Sequence, residues 1–253
     1  MFDFGGITSF GHNYLQLNKG SNVENDGDGA IGGSIYFGTN NKLNRGSEIK
    51  CNFLAGSFET YSLGVISTIS RKRWLYSLAF NKEMANNNFE YKNYKRIGRP
   101  TIQQSNSEFR STNVIQEIGL KINKVQLKSV SWWNGKRKNI PLLLIESQEN
   151  NKFVADSSFR TVLQAKTYYK KNILSALIGR DKQWFKYVNP GIAYTYYTLT
   201  NDQGELNIKG RFKKIEWRYK FNLQHQSAQN TNYVGLKTRI LNFNSLNIKG
   251  EVK

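Results

Sequence analysis

The side chains able to do covalent or metal chemistry are few and scattered. There are two histidines, His12 and His225, far apart in sequence and in different contexts. Each reads as a possible base or ligand, or as a solvated polar residue, and no spacing gathers them. One cysteine, Cys51, allows no internal disulfide and no cysteine-based metal site. It alternates with Ile49, Phe53 and Ala55. That pattern suggests a small residue on a greasy strand face, with a reactive thiol as the alternative. No Ser/His/Asp order, paired-carboxylate motif or phosphate-binding glycine loop stands out. The expectation is a protein that is not an enzyme and uses no cofactor or metal.

Charge is the stronger signal. Lys and Arg number 37 against 18 Asp and Glu, for a net charge of +19. Such a balance points to nucleic acid or anionic lipid. A groove for single-stranded nucleic acid needs cations and stacking aromatics on one surface. Here the cations fall in turns, loops and the polar face of strands, while the aromatics fall mostly on the opposite face. Nucleic acid is therefore not the expected partner. Aromatics make up 13% of the chain, which excludes a disordered polar chain.

The elements that carry these residues have period two. In Lys214–Gln224 the odd positions are Ile215, Trp217, Tyr219, Phe221 and Leu223, and every even position is polar. Successive strand side chains point to opposite faces, so one face is apolar and the other wet. The same alternation runs through Ile49–Ala55, Tyr61–Ile69, Trp74–Phe80, Val114–Ile122 and Leu246–Val252, with Gln116 out of pattern. In Val125–Trp133 the phase slips after Leu127, which a β-bulge would explain. Connectors alternate in length. Arg71-Lys72-Arg73, Asn123 and Lys170-Lys171-Asn172 read as tight turns, whereas Lys82–Ser111 and Asn134–Ser158 read as long loops. Short turns on one rim and long loops on the other are the habit of outer-membrane barrels. No apolar run reaches the roughly 18 residues of a membrane helix, which leaves barrels open.

The first forty residues differ. Leu17-Asn18-Lys19-Gly20-Ser21-Asn22 leads to Asp26-Gly27-Asp28-Gly29-Ala30-Ile31-Gly32-Gly33-Ser34-Ile35-Tyr36-Phe37-Gly38-Thr39. This run resembles the end of the plug domain in TonB-dependent receptors, in particular Gly20, Asp28, Gly29, Ala30, Ile31, Gly32 and Gly33. The glycines permit close backbone approach, as a chain packed inside a barrel wall requires. Trp132-Trp133-Asn134 with Arg137 and Ile140-Pro141 resembles a strand end of the vitamin B12 and siderophore branch. So does Arg180-Asp181-Lys182 with Tyr187 and Asn189-Pro190, with Asn189 where Asp is commoner. The Ala30-Ile31-Gly32-Gly33 form differs from the usual plug end of glycan importers.

The resemblance implies an all-β fold: an antiparallel transmembrane barrel in the outer membrane of a Gram-negative bacterium. Residues 1–40 would be the end of the plug and 41–253 the first part of the barrel. About ten or eleven strands are legible, against about 22 in the family. The export signal, the energy-coupling box and most of the plug are expected ahead of Met1, and further strands beyond Lys253. The implied function is active uptake of a scarce nutrient, a ferric siderophore or a corrinoid, with outer-membrane lipid and the TonB complex as partners. Tyr91, Tyr94, Arg96, Arg99 and Arg137 are loop residues that could contact an anionic or aromatic ligand, or simply be solvated. The rival readings are a small structural or adhesion barrel without transport and a basic nucleic-acid-binding β-domain.

Overall fold

The computed structural model describes residues 11, 14–19, 33–39, 41–141, 151–212, 215–232 and 237–252. Every regular element among them is a β-strand. A hairpin of β1 (Tyr14–Lys19) and β2 (Gly33–Gly38) comes first. The main sheet follows as β3 (Gly46–Gly56), β4 (Thr60–Ser70), β5 (Trp74–Ala85), β8 (Phe109–Ile122), β9 (Val125–Asn139), β10 (Phe153–Tyr169), β11 (Asn172–Asn189), β12 (Ala193–Phe212), β13 (Ile215–Asn232) and β14 (Lys237–Val252). Between β5 and β8 a small hairpin of β6 (Glu90–Lys92) and β7 (Thr101–Gln103) stands apart.

The main sheet has ten antiparallel strands in simple meander order, from β3 to β14, and it is open. Each strand pairs with its neighbour along the chain, so tight hairpins set the register. Where the connection is two residues long, left-handed backbone is needed to match the strand twist. Asn123 supplies it at φ 53° between β8 and β9, and Lys170 at φ 53° between β10 and β11. Asn tolerates this region well and Lys less so, so the second turn carries some strain.

The rims come out as the connector lengths suggested. Lys121 N donates to Arg73 O at 2.8 Å, joining two tight turns on one rim. Asn86 N and Asn87 N donate to Phe58 O at 3.2 Å, and Asn139 N donates to Glu108 O at 2.9 Å, joining the long connections and the β3–β4 turn on the other. The long loops are shorter than expected, because β5 runs to Ala85, β9 to Asn139, and β10 starts at Phe153.

The phase slip after Leu127 is not a bulge. Pairing is continuous from Val125↔Ile122 to Lys138↔Phe109, and equally continuous against β10. Instead Val130 and Trp132 stay on the face that is otherwise polar, because an apolar patch exists there. Val130 clusters with Ala79 and Ile115, and Ile66 and Trp132 pack against them. We call this the covered face, since Gly11, Thr39 and Asn41 lie on it. The opposite, bare face carries Ile49, Phe53, Leu63, Trp74, Leu120, Ile178, Tyr219 and Leu223, each between 41% and 71% exposed. Cys51 sits there too, exposed, as its alternation suggested.

Candidate functional site

A seat on the covered face of β5, β8 and β9 is the best-built polar site among the described residues. Register aligns it: Ser77 lies opposite Glu117, Ala79 opposite Ile115, and Glu117 opposite Val130. Glu117 is 3% exposed. A carboxylate so deep in the fold must be paired. Lys128 Nζ lies 3.0 Å from Glu117 Oε1, and Asn41 Nδ2 donates to Glu117 Oε2 at 2.7 Å. Lys128 also donates to Thr39 O at 2.9 Å and to Thr39 Oγ1 at 3.1 Å. One ammonium therefore ties the wall to the segment that enters it.

The second fastening is apolar. Gly11 has φ +84°, and a Cβ there would stand 2.8 Å from Ala79 Cβ and 3.0 Å from Ile115 Cδ1. Glycine is needed on both counts, conformation and space. A third contact closes the entry to β3, where Ser70 Oγ donates to Lys42 O at 2.7 Å. What this arrangement does chemically is hold a separate segment against a strand wall through one ion pair with a buried carboxylate and a small greasy patch.

Of the plug-end residues, Gly33 opens β2, opposite Lys19 on β1. Gly20, Asp28, Gly29, Ala30, Ile31 and Gly32 lie outside the described residues, as does His12. His225 is on β13, opposite Asp202. Thr39, Asn41, Glu117 and Lys128 escaped the sequence reading, although the misplaced Val130 and Trp132 were the trace their seat left in it.

The loop residues divide. Tyr91, Tyr94, Arg96 and Arg99 belong to the β6–β7 hairpin and its tip. Tyr91 lies 6.1 Å from Phe89, which meets Phe58 edge-on at 5.8 Å, and these rings root the hairpin. Arg99 Cζ lies 5.8 Å from the centre of the Tyr94 ring, and Tyr94 is 68% exposed. Arg137 is not a loop residue. It stands on β9, with Cζ 4.1 Å from the Phe153 ring across the sheet, because the strand extends five residues past Asn134 to Asn139. The structure brings Tyr94 and Arg99 together and places Arg137 elsewhere.

No protein-family model matches the sequence. No curated protein matches it either. Among solved structures, the chain is similar to the ferric yersiniabactin uptake receptor FyuA from Yersinia pestis, at 11% identity and a TM-score of 0.48. The match covers 93% of this chain and 48% of that one, so the chain spans about half the receptor's length.

Proposed function

We propose that this sheet is part of the wall of a TonB-dependent outer-membrane transporter, with residues 41–253 in the barrel and the residues ahead of them closing the plug. The observation that carries the membrane reading is a slant. On β4 the bare-face apolar residues run from Tyr61 to Ile69, and on β13 from Ile215 to Leu223, nine residues in each case. A tilted membrane strand needs about that length. The two stretches do not lie on the same register rows. Ile69 pairs along Tyr76, Ile118, Ser129, Leu163, Ile178 and Gly204 to Leu223, so the bottom of the band on β4 meets its top on β13.

The band thus drifts eight residues over the seven pairings from β4 to β13. With a rise of about 3.3 Å per residue and strands about 4.8 Å apart, that drift is a tilt of about 40°. Barrel strands tilt by that amount. A flat apolar slab crossed by tilted strands accounts for it directly. Just above the band on the loop side, β11 turns polar at Arg180, which holds Asp202 of β12 through bonds of 2.6 and 3.0 Å. Two pairs of polar side chains inside the band satisfy each other, Ser131 with Thr161 at 3.0 Å and Gln116 with the Tyr76 hydroxyl at 3.4 Å, as lipid favours.

The seat favours a transporter over a plain structural barrel, which has no use for a fastened inner segment. In this reading the imported ligand is a ferric siderophore or a corrinoid, taken at the loop rim where Tyr94 and Arg99 stand. TonB then moves the seated segment. The free edges of β3 and β14 pair with further strands, because open edges are not viable in lipid.

The test uses two cysteines in a Cys51→Ser background. Val65 and Ser227 share one register row through Phe80, Val114, Trp133, Phe159, Lys182 and Thr200. In outer membranes, Val65→Cys should resist a water-soluble thiol reagent and Ser227→Cys should react. Equal labelling of the two removes the membrane reading. Binding of labelled ferric siderophore and of labelled corrinoid to the same membranes then tests the transport reading separately.

A further inference from the structure

Among the described residues, every tight turn of the rim of short turns carries a cation. Its turns are Arg71-Lys72-Arg73, Asn123-Lys124 and Lys170-Lys171, whereas the tight turns of the loop rim, Ser57-Phe58-Glu59 and Pro190-Gly191-Ile192, carry no cation. Two of the basic turns stand side by side, fixed by the Lys121 N to Arg73 O bond of 2.8 Å. Between them is a pocket lined by Lys72, Arg73 and Asn123 at the turns and by Trp74, Leu120 and Ile122 on the bare face, with Lys121 also in its lining and no acidic residue there. Trp74, Leu120 and Ile122 are the last apolar residues of the bare face on β5 and β8, at 42%, 41% and 57% exposure. The pocket therefore begins where the greasy band ends.

The geometry points to a binding site for an anionic glycerophospholipid of the leaflet on this rim, an inference that rests on the membrane reading above. The two turn cations, Lys72 and Arg73, match the phosphate, and no carboxylate in the lining competes for them. The apolar lower wall continues into the band and takes the glycerol and the first carbons of an acyl chain. The Trp74 ring suits the interface, with a broad apolar face and an N–H donor that stays near polar groups. Such a lipid, held across two neighbouring hairpins, would also brace β5 against β8 at their turn ends.

The outer-membrane protein that contains this sheet, with the strands that complete it, would be reconstituted in phosphatidylcholine bilayers that contain rising fractions of phosphatidylglycerol brominated near the headgroup end of its acyl chains. A parallel series would use brominated phosphatidylcholine. The difference in fluorescence quenching between the unmodified chain and Trp74→Phe isolates Trp74 from the other tryptophans. Phosphatidylglycerol should half-quench Trp74 at about a five- to tenfold lower mole fraction than phosphatidylcholine, the effect of one or two cations at an anionic surface. The double variant Lys72→Gln/Arg73→Gln should lose that preference while the remaining tryptophans are quenched as before. Superimposable curves for the two lipids, or a preference that survives the double variant, overturn the site and leave the membrane reading standing. Absence of quenching of every tryptophan by both lipids overturns the membrane reading and the site together.

Discussion

On β5, β8 and β9 the covered face holds Ala79, Ile115 and Val130, each 5–6% exposed, beside the Glu117–Lys128 pair. On β12 and β13 the same face holds a polar ladder in which Lys220 reaches Glu205 at 3.1 Å, with side chains 17% and 29% exposed. One alternation builds both regions. They differ in what lies on them: Gly11, Thr39 and Asn41 cover the first. The Glu117 carboxylate is thus buried where another segment covers it, with Lys128 34% exposed, whereas Lys220 and Glu205 both keep partial contact with water and their pair contributes less to stability.

The comparison breaks most sharply at Lys128. Lys128→Met leaves the Glu117 carboxylate buried without its cation, and should cost about 3–5 kcal/mol in urea unfolding in bilayers. The double variant Lys128→Met/Glu117→Met should recover much of that loss. A double variant as unstable as the single would mean the pair is not a unit. Next comes the bare face. Tyr219→Arg, within the apolar stretch of β13, should cost roughly 2–4 kcal/mol in the same measurement. Little or no loss would place that face in water. Ile115→Ala, in the greasy part of the seat, should cost about 2 kcal/mol, at the low end for a core truncation because the patch is small. It should also speed proteolysis ahead of residue 41, and an unchanged cleavage rate would separate the patch from the docking of that segment. The smallest effect belongs to the open ladder. Lys220→Gln should change stability by less than about 1 kcal/mol, because the Glu205 carboxylate it leaves keeps contact with water, as Glu117 does not. A loss as large as that at Lys128 would erase the distinction between the two regions.

Much of this was legible from residue types. Strict alternation in Trp74–Phe80 and Ile215–Leu223 marked the two faces, since a strand can present its side chains in no other way. Connector lengths gave the two rims. The seat was not legible, because Glu117 sits among alternating residues and looks like any wet-face carboxylate until Asn41 and Thr39 arrive from 76 and 89 residues away in the chain from Glu117 and Lys128 respectively. Val130 and Trp132 looked like a register error for the same reason: their apolar partners lie on other strands. Arg137 looked like a loop residue because polar strands that rise beyond the apolar band have no hydrophobic period to mark them.

By itself, then, the sequence determined the strands, their faces and the order of short and long connections, all of which follow from local chemistry and the two-residue period. Only the tertiary structure decided the pairing offsets between strands. Those offsets turn a set of greasy stretches into one slanted band, and they bring Glu117, Lys128 and Thr39 to a single point. They depend on hairpin geometry summed over the whole sheet, a quantity that no single strand carries in its own residues.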